Sequence, residues 1–112
     1  MIHMLCRFDL KPGASMETVR SYYAQFFKDM KSMGYAEATG EIGARIDDTP
    51  MSTEATEAQR FYVVMTFRDR AQLDGSYAYF TGGHLTPDQL AAHNGIRRWI
   101  TNEVFTCWDD QV

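Results

Sequence analysis

Residues 60–67 read Arg-Phe-Tyr-Val-Val-Met-Thr-Phe, and this stretch decides the fold. It is rich in aromatic and β-branched residues and has neither glycine nor proline, which is typical of a β-strand. Alternate residues point to opposite faces, and both faces are largely apolar, with Phe61, Val63, Met65 and Phe67 on one and Tyr62, Val64 and Thr66 on the other. The pattern predicts a central strand that is covered on both sides.

Further elements are predicted on the N-terminal side of this strand. Ile2 to Asp9 alternates as a strand does, and Met16 to Met33 carries an apolar stripe at helical spacing. Tyr35 to Ile46 is predicted as a second strand, and its two glycines indicate either a bend or a close approach by another backbone. The polar segment Asp47 to Ala58 is expected to be a mobile loop.

Two helix starts and a final strand are predicted after the central strand. Asp69 is a candidate N-cap, and Thr86 with Gln89 forms a capping-box pattern. Gly95 is expected to end the second helix, and Arg97 to Asp109 is the last strand, with an imperfect alternation that allows a bulge or a bend. The element order predicts an α+β fold of the split βαβ kind, with helices on one face of an antiparallel sheet.

Composition excludes several classes of protein. The 112 residues are 45% hydrophobic and 23% charged, so we expect one globular domain over residues 1–112. A net charge of −4, with few arginines and lysines, argues against a nucleic acid partner, and no run is long enough for a membrane span. Because no secretory signal pattern is present, Cys6 and Cys107 are expected to stay reduced in a cytoplasmic protein.

The element order, the length and the two-faced central strand resemble the dimeric α+β barrel superfamily, which has a ferredoxin-like fold. In that superfamily two sheets meet face to face across a homodimer, and the helices cover the outside. The resemblance spans essentially the whole chain and implies that a second subunit covers the face carrying Tyr62 and Val64. Members include cofactor-independent monooxygenases of aromatic substrates, isomerases, haem-dependent enzymes and stress-responsive proteins, so the fold does not select an activity.

The histidines provide one candidate catalytic residue. His3, His84 and His93 lack the spacing of a metal site, and we expect neither a metal nor a cofactor. His93 is interpreted as a helix-terminal residue that complements the helix dipole, rather than as a haem ligand. His84 follows two glycines between two short helices, where it could reach over a pocket mouth. We take His84 as the candidate catalytic residue, with a solvated loop histidine as the alternative.

Five more residues are candidates for binding a ligand. The aromatic ones, together with Tyr79 and Trp108, could line a cavity between sheet and helices and orient an aromatic compound, although packing in the core explains most of them more simply. The arginine could hold an anionic substrate or pair with a carboxylate such as Asp9 or Glu103. These candidates are Arg7, Tyr22, Tyr62, Tyr77 and Trp99.

Two functions remain open at this point. The first is a small-molecule-binding protein whose enzymatic form would be a cofactor-independent monooxygenase or isomerase of an aromatic or phenolic compound, with a histidine that accepts the substrate proton. The second is a non-catalytic homodimeric module or a stress-related protein that acts through its surface. A solidly packed space between sheet and helices would count against the first function.

Overall fold

The computed structural model describes residues 1–55 and 58–112. Its elements alternate much as the sequence predicts, except that the second predicted strand is divided in two. In chain order they are β1 (Ile2–Leu10), α1 (Met16–Ser32), β2 (Ala38–Thr39), β3 (Gly43–Ala44), β4 (Phe61–Phe67), α2 (Arg70–Thr81), α3 (Pro87–Arg97) and β5 (Ile100–Asp109).

The strands form one antiparallel sheet in the order β2-β4-β1-β5, with β3 also paired to β4. The central strand predicted from residues 60–67 is β4, which lies between β1 and the two short strands. Strand β1 is bonded on both sides, because it pairs with β4 from Ile2 to Phe8 and with β5 from Ile2 to Leu10. This order is the split βαβ arrangement that the sequence predicts.

The helices cover one face of the sheet, here called the inner face. Phe8 of β1 and Phe67 of β4 are each 2% exposed on this face, and Val19 and Met30 of α1 pack onto it. Helices α2 and α3 add side chains to the same two clusters, including Leu73 and Ile96. The space between the sheet and the helices is therefore occupied by apolar side chains over most of the sheet. The cavity expected there is filled over this area, which counts against a ligand site between the sheet and the helices.

The opposite face, here called the outer face, has no helix on it. It carries the alternate side chains of the three long strands, those that point away from the helices. These are His3, Leu5 and Arg7 of β1, Tyr62, Val64 and Thr66 of β4, and Val104, Thr106 and Trp108 of β5. Val104 and Trp108 are 38% and 44% exposed. With a thickness of 19 Å against 42 and 40 Å in the other directions, the chain is a flat two-layer slab.

The predicted helix starts are confirmed by their hydrogen bonds. The Asp69 carboxylate accepts the backbone N–H of Gln72 at 2.8 Å. The Thr86 hydroxyl accepts the N–H of Gln89 at 3.3 Å, and the Gln89 side chain accepts the N–H of Thr86 at 3.1 Å, which completes the capping box. These caps fix where α2 and α3 begin and therefore place the loop between them.

The expected end of α3 at Gly95 is wrong, because the helix continues to Arg97 and Gly95 is buried within it. The glycine is required for packing, since a Cβ atom there would lie 2.4 Å from Cδ1 of Tyr22 on α1. Strand β5 consequently starts at Ile100, three residues later than predicted. The predicted irregularity is present, as the register with β1 shifts between Arg7 and Asp9 and Asn102 adopts φ 57°.

The second predicted strand is also shorter than expected. Gly34, with φ 78°, and Tyr35 complete the end of α1, where the N–H of Tyr35 bonds to the Met30 carbonyl at 2.8 Å. Pairing with β4 is limited to β2 and β3, and buried Ile42 lies between them. The loop expected over Asp47–Ala58 includes residues 56 and 57, which lie outside the described residues. None of the helices described is long and apolar enough to cross a membrane.

Candidate functional site

The chain has an aromatic groove beside α2 with a volume of about 350 Å³. Two tyrosines and a histidine supply its rings, and two small residues of α2 leave room between them. The lining residues are Tyr35, Gly75, Ala78, Tyr79 and His84. The groove contains the candidate catalytic residue predicted from the sequence.

Tyr35 reaches the groove because of the way α1 ends. Gly34 takes a positive φ, and the N–H of Tyr35 returns to the Met30 carbonyl, which turns the chain sharply toward α2. Gln72 then ties this turn to α2, donating from Nε2 to the Gly34 carbonyl at 2.9 Å. Gln72 is only 5% exposed, and its buried amide group has the hydrogen-bond partner that burial requires.

Tyr79 is the middle ring of the groove and is held at both ends. Its ring stacks on Tyr35 at a centroid distance of 4.8 Å and an interplanar angle of 30°. Its hydroxyl donates to Oε1 of Gln89 at 3.0 Å, the same side-chain oxygen that caps α3. The orientation of Tyr79 is therefore fixed by the start of the next helix.

His84 is the third ring and lies over Tyr79 at 5.8 Å with an interplanar angle of 24°. The two preceding glycines have different structural roles. Gly83 has a positive φ of 76°, whereas a Cβ atom on Gly82 would lie 2.8 Å from the imidazole Nε2. The imidazole is thus seated against the Gly82 backbone and the Tyr79 ring, a placement that side-chain substitution at Gly82 would disturb.

The groove offers stacking surfaces and one hydrogen-bonding ring. Within the described residues, neither ring nitrogen of His84 forms a hydrogen bond, and the side chain is exposed. A neutral imidazole presents one acceptor nitrogen and one N–H donor, so it can hydrogen-bond a hydroxyl group and take its proton. A planar aromatic compound carrying a hydroxyl group matches both features.

Arg7 and Tyr62 lie together at a second place, on the outer face, where they are direct cross-strand partners. Glu54 connects them, since one of its carboxylate oxygens accepts from Nη1 of Arg7 and the other from the Tyr62 hydroxyl. The partner of Arg7 is therefore Glu54, not Asp9 or Glu103 as the sequence suggested. Arg45 lies beside this cluster, with its side chain 7% exposed and bonded to Asp47 at 2.8 Å.

The other three predicted residues lie in three different surroundings. Tyr22 packs on Gly95 between α1 and α3 and is 38% exposed. Tyr77 is 72% exposed on α2. Trp99 packs against the core cluster around Phe8, and the Arg98 guanidinium lies 5.0 Å from the centre of its ring. The structure thus brings together Arg7 and Tyr62 but none of the other predicted site residues.

The remaining histidines have structural partners. His93 is not at a helix end, because α3 continues past it; it stacks on Phe26 at 5.2 Å, and burial, followed by the charge of Arg97, lowers its pKa. His3 forms two hydrogen bonds, one between Nδ1 and the Thr66 hydroxyl at 3.0 Å and one between Nε2 and the Asp110 carboxylate at 3.0 Å. No group of three or more metal-binding side chains occurs within the described residues.

Sequence reasoning missed Tyr35, Glu54 and Arg45 as site residues. Tyr35 directly follows the glycine that ends α1, a position whose side chain regularly turns back toward the helix, and this signal was available. Glu54 lies within the polar segment Asp47 to Ala58 and Arg45 just before it, and no periodic pattern in this segment indicates a contact. Only the folded path of that segment brings Glu54 onto the sheet.

The Glu54 contacts predict a pH-dependent stability. The Tyr62 hydroxyl, and after it Arg7, lower the pKa of Glu54 from its ordinary value of 4.5. The ionised carboxylate therefore stabilises the folded chain above about pH 4.5, and this contribution is lost as the pH falls through the lowered pKa. We expect Glu54→Gln to lower the urea midpoint at neutral pH, and the difference from the wild type to shrink in acid. Exposed Glu41, changed to Gln, is the control; a difference that stays constant with pH would contradict the assignment.

Comparisons with known proteins identify the fold. No protein-family model and no curated protein sequence matches the chain. Among solved structures, the protein At3g17210 of Arabidopsis thaliana is similar with a TM-score of 0.71 and 11% identity, over 100% of this chain and 97% of that one. A dimeric ferredoxin-like protein of unknown function from Jannaschia sp. CCS1 gives a TM-score of 0.64 and 15% identity, over 96% and 97% of the two chains.

An uncharacterized NIPSNAP domain protein from Burkholderia xenovorans is also similar, with a TM-score of 0.57 and 10% identity over 100% of this chain and 96% of that one. At these identities the likeness concerns the fold and not the activity. The sheet order and the helices on a single face agree with it. The chain therefore has a ferredoxin-like fold, as the sequence resemblance implied.

Proposed function

We propose that this chain is a homodimeric small-molecule-binding protein that holds a planar aromatic or phenolic compound in the aromatic groove. The observation that carries this proposal is the stack of Tyr35, Tyr79 and His84, in which two rings are fixed and the third has ring nitrogens without a hydrogen bond among the described residues. Aromatic ligands gain affinity from such stacking, and a hydroxyl group would give the imidazole its partner.

The same geometry supports a reaction that begins with proton transfer. His84 would take the proton of a phenolic hydroxyl group, leaving a delocalised anion and an imidazolium. An isomerase would return that proton to a different atom of the ligand. A cofactor-independent monooxygenase would let a ring carbon of the anion add dioxygen to give a peroxide anion, which the imidazolium would protonate to a hydroperoxide. Cleavage of the O–O bond with loss of water would then leave one oxygen atom on that carbon as a carbonyl group. Both reactions use the imidazole as the single acid and base of the groove.

The homodimer is supported by the shape of the chain. The outer face carries Leu5, Val64 and Trp108 without a helix over it, and the radius of gyration is 14.7 Å. A compact chain of this length is expected near about 13 Å. Similar structures from Jannaschia and other organisms are described as dimeric. A second copy on the outer face would cover the side of the sheet that the helices leave open.

The two free cysteines fit the reducing cytoplasm, where we place the protein.

A thermal-shift titration with phenol, catechol and 1-naphthol tests the binding site. Ligand at ten times its Kd stabilises a protein by about 1.4 kcal/mol, which raises the melting temperature by roughly 5 °C for a chain of this size. We expect Ala78→Trp, which fills the groove from an exposed helix position, to abolish the shift. His84→Ala should weaken binding about tenfold through the lost hydrogen bond.

Tyr77→Ala is the matched control, because this tyrosine is on the same helix but does not line the groove. It should bind the phenols as the wild type does. Binding that survives both Ala78→Trp and His84→Ala would place the ligand elsewhere. If none of the compounds shifts the melting temperature, the non-catalytic homodimeric module becomes the better account of this protein.

A further inference from the structure

Arg7 and Tyr62 are held in fixed positions by the middle of the sheet. These residues lie opposite each other on β1 and β4, the two central strands of the sheet, and their side chains share the outer face. Arg7 is 24% exposed and Glu54 is 32% exposed, so their ion pair is partly shielded from water. Side chains held by a central sheet are well suited to present a fixed set of donors to a ligand.

The donors of this site are arranged for a carboxylate. Glu54 is bound through both of its oxygens, one by Nη1 of Arg7 and one by the Tyr62 hydroxyl. The Nε atom of Arg7 is buried and has no hydrogen-bond partner within the described residues. A guanidinium normally binds a carboxylate through two parallel N–H groups, so Glu54 leaves part of this binding capacity unused.

The charges around the site also favour an anion. The Arg45 guanidinium donates hydrogen bonds to the Asp47 carboxylate, at 2.8 Å, and to the carbonyl oxygens of Ala58 and Gln59, at 2.7 and 2.6 Å. Glu54 is the carboxylate paired with Arg7 within the described part of the chain. Moving the Glu54 side chain away would leave a partly buried guanidinium without a counter-charge, which is unfavourable unless another anion replaces it.

Space for the rest of a ligand lies next to these donors. An open cleft of about 570 Å³ is bordered by Tyr62, Glu54 and Arg45. Its wall includes Ile46 and Met51, which are 65% and 89% exposed. An apolar body attached to a carboxylate would cover these side chains while its carboxylate reached Arg7.

We propose that Arg7 and Tyr62 form a binding site for small carboxylates with an apolar body, and that the Glu54 side chain occupies this site in the free chain. Glu54 acts as an internal competitor whose effective concentration is set by the short segment that carries it. The site lies at the end of the outer face that the segment carrying Glu54 already overlies, so the second copy proposed for this face would pack beside the site, on Leu5, Val64 and Trp108. The site is separate from the aromatic groove and does not depend on the function proposed for that groove.

Isothermal titration with benzoate tests the proposal. Removing an internal competitor with a millimolar effective concentration is expected to lower the Kd of benzoate about tenfold in Glu54→Ala compared with the wild type. Benzamide, which has the same ring but no charge, should bind Glu54→Ala no more tightly than it binds the wild type. Arg7→Met combined with Glu54→Ala should remove benzoate binding altogether. The matched control is Glu41→Ala, which deletes an exposed carboxylate of the same charge and should bind benzoate as the wild type does.

Two outcomes would overturn the proposal: benzoate affinity equal in Glu54→Ala and Glu41→Ala, or tight benzoate binding that survives Arg7→Met. Circular dichroism of each variant checks folding, and Glu54→Ser provides a second replacement if the alanine variant is unstable. Adding His84→Ala should leave the benzoate affinity of Glu54→Ala unchanged. If His84→Ala instead removes it, benzoate is bound in the aromatic groove and the carboxylate site is refuted.

Discussion

Replacing Gly95 with alanine is expected to lower the free energy of unfolding, although alanine is the better helix former. A Cβ atom at this position would lie 2.4 Å from Cδ1 and 2.6 Å from Cγ of Tyr22. Overpacking of this kind typically costs about 1–3 kcal/mol, which exceeds the gain of about 1 kcal/mol from helix propensity. Either α1 and α3 must separate or the Tyr22 ring must turn out into solvent.

Gly75→Ala is the matched control for this prediction, since it makes the same change within α2. The nearest atom to a Cβ there is Cε1 of Tyr35 at 3.8 Å, an ordinary contact. We therefore expect Gly75→Ala to stabilise the chain by about 0.5–1 kcal/mol. Urea unfolding of both variants gives the comparison.

A double-mutant cycle identifies the cause of the Gly95 effect. In a Tyr22→Ala background the ring is absent, so Gly95→Ala should become neutral or stabilising. A destabilisation of the same size with and without the Tyr22 ring would show that the ring contact is not the reason for the glycine. A loss of stability in Gly75→Ala would show that replacing a helical glycine with alanine is destabilising in this chain even without a close contact. The contact with Tyr22 would then no longer be needed to explain the effect at Gly95.

Val64→Lys is expected to convert the proposed homodimer into a folded monomer. Val64 lies in the middle of the outer face, opposite Leu5 of β1, and is surrounded by the side chains that a second copy would cover. A lysine buried there without a partner costs several kcal/mol in each subunit, which corresponds to at least a hundredfold weaker association. Within one subunit the long side chain can reach water, so the fold itself should persist.

Sedimentation at micromolar concentration measures this effect as a fall from twice the chain mass to the mass of one chain. Val112→Lys makes the same substitution at a fully exposed position and should leave the dimer intact. Circular dichroism should be the same for both variants. A wild-type chain that sediments as a monomer, or a Val64→Lys chain that remains dimeric, would refute the interface on the outer face.

The elements that the sequence predicts well are those whose signals are local. Residues 60–67 identify β4 through side-chain type alone, and Thr86 with Gln89 identifies the start of α3 through hydrogen bonds that span three residues. In both cases the deciding contacts lie within the segment. The capping residues and the strand pattern therefore agree with the global fold.

The predictions that failed depend on contacts between distant segments. Gly95 has the composition of a helix terminator, but the ring of Tyr22, far away in sequence, makes it a packing residue. Tyr35 looks like the start of a strand because its role in ending α1 depends on hydrogen bonds to the preceding turn. Glu54 meets Arg7 only because the segment after β3 folds back over the sheet. Such information is tertiary, and a single sequence does not display it.

The pairing of β1 with β5 has a consequence for how this protein is made. The first strand of the chain bonds to the last, with Ile2 opposite Asp109. During translation one edge of β1 has no partner until β5, which follows all the other described elements, has left the ribosome. Contacts of such long sequence separation slow folding, and an unpaired strand edge invites aggregation in the meantime. A nascent chain that stops before β5 should consequently be a substrate for chaperones.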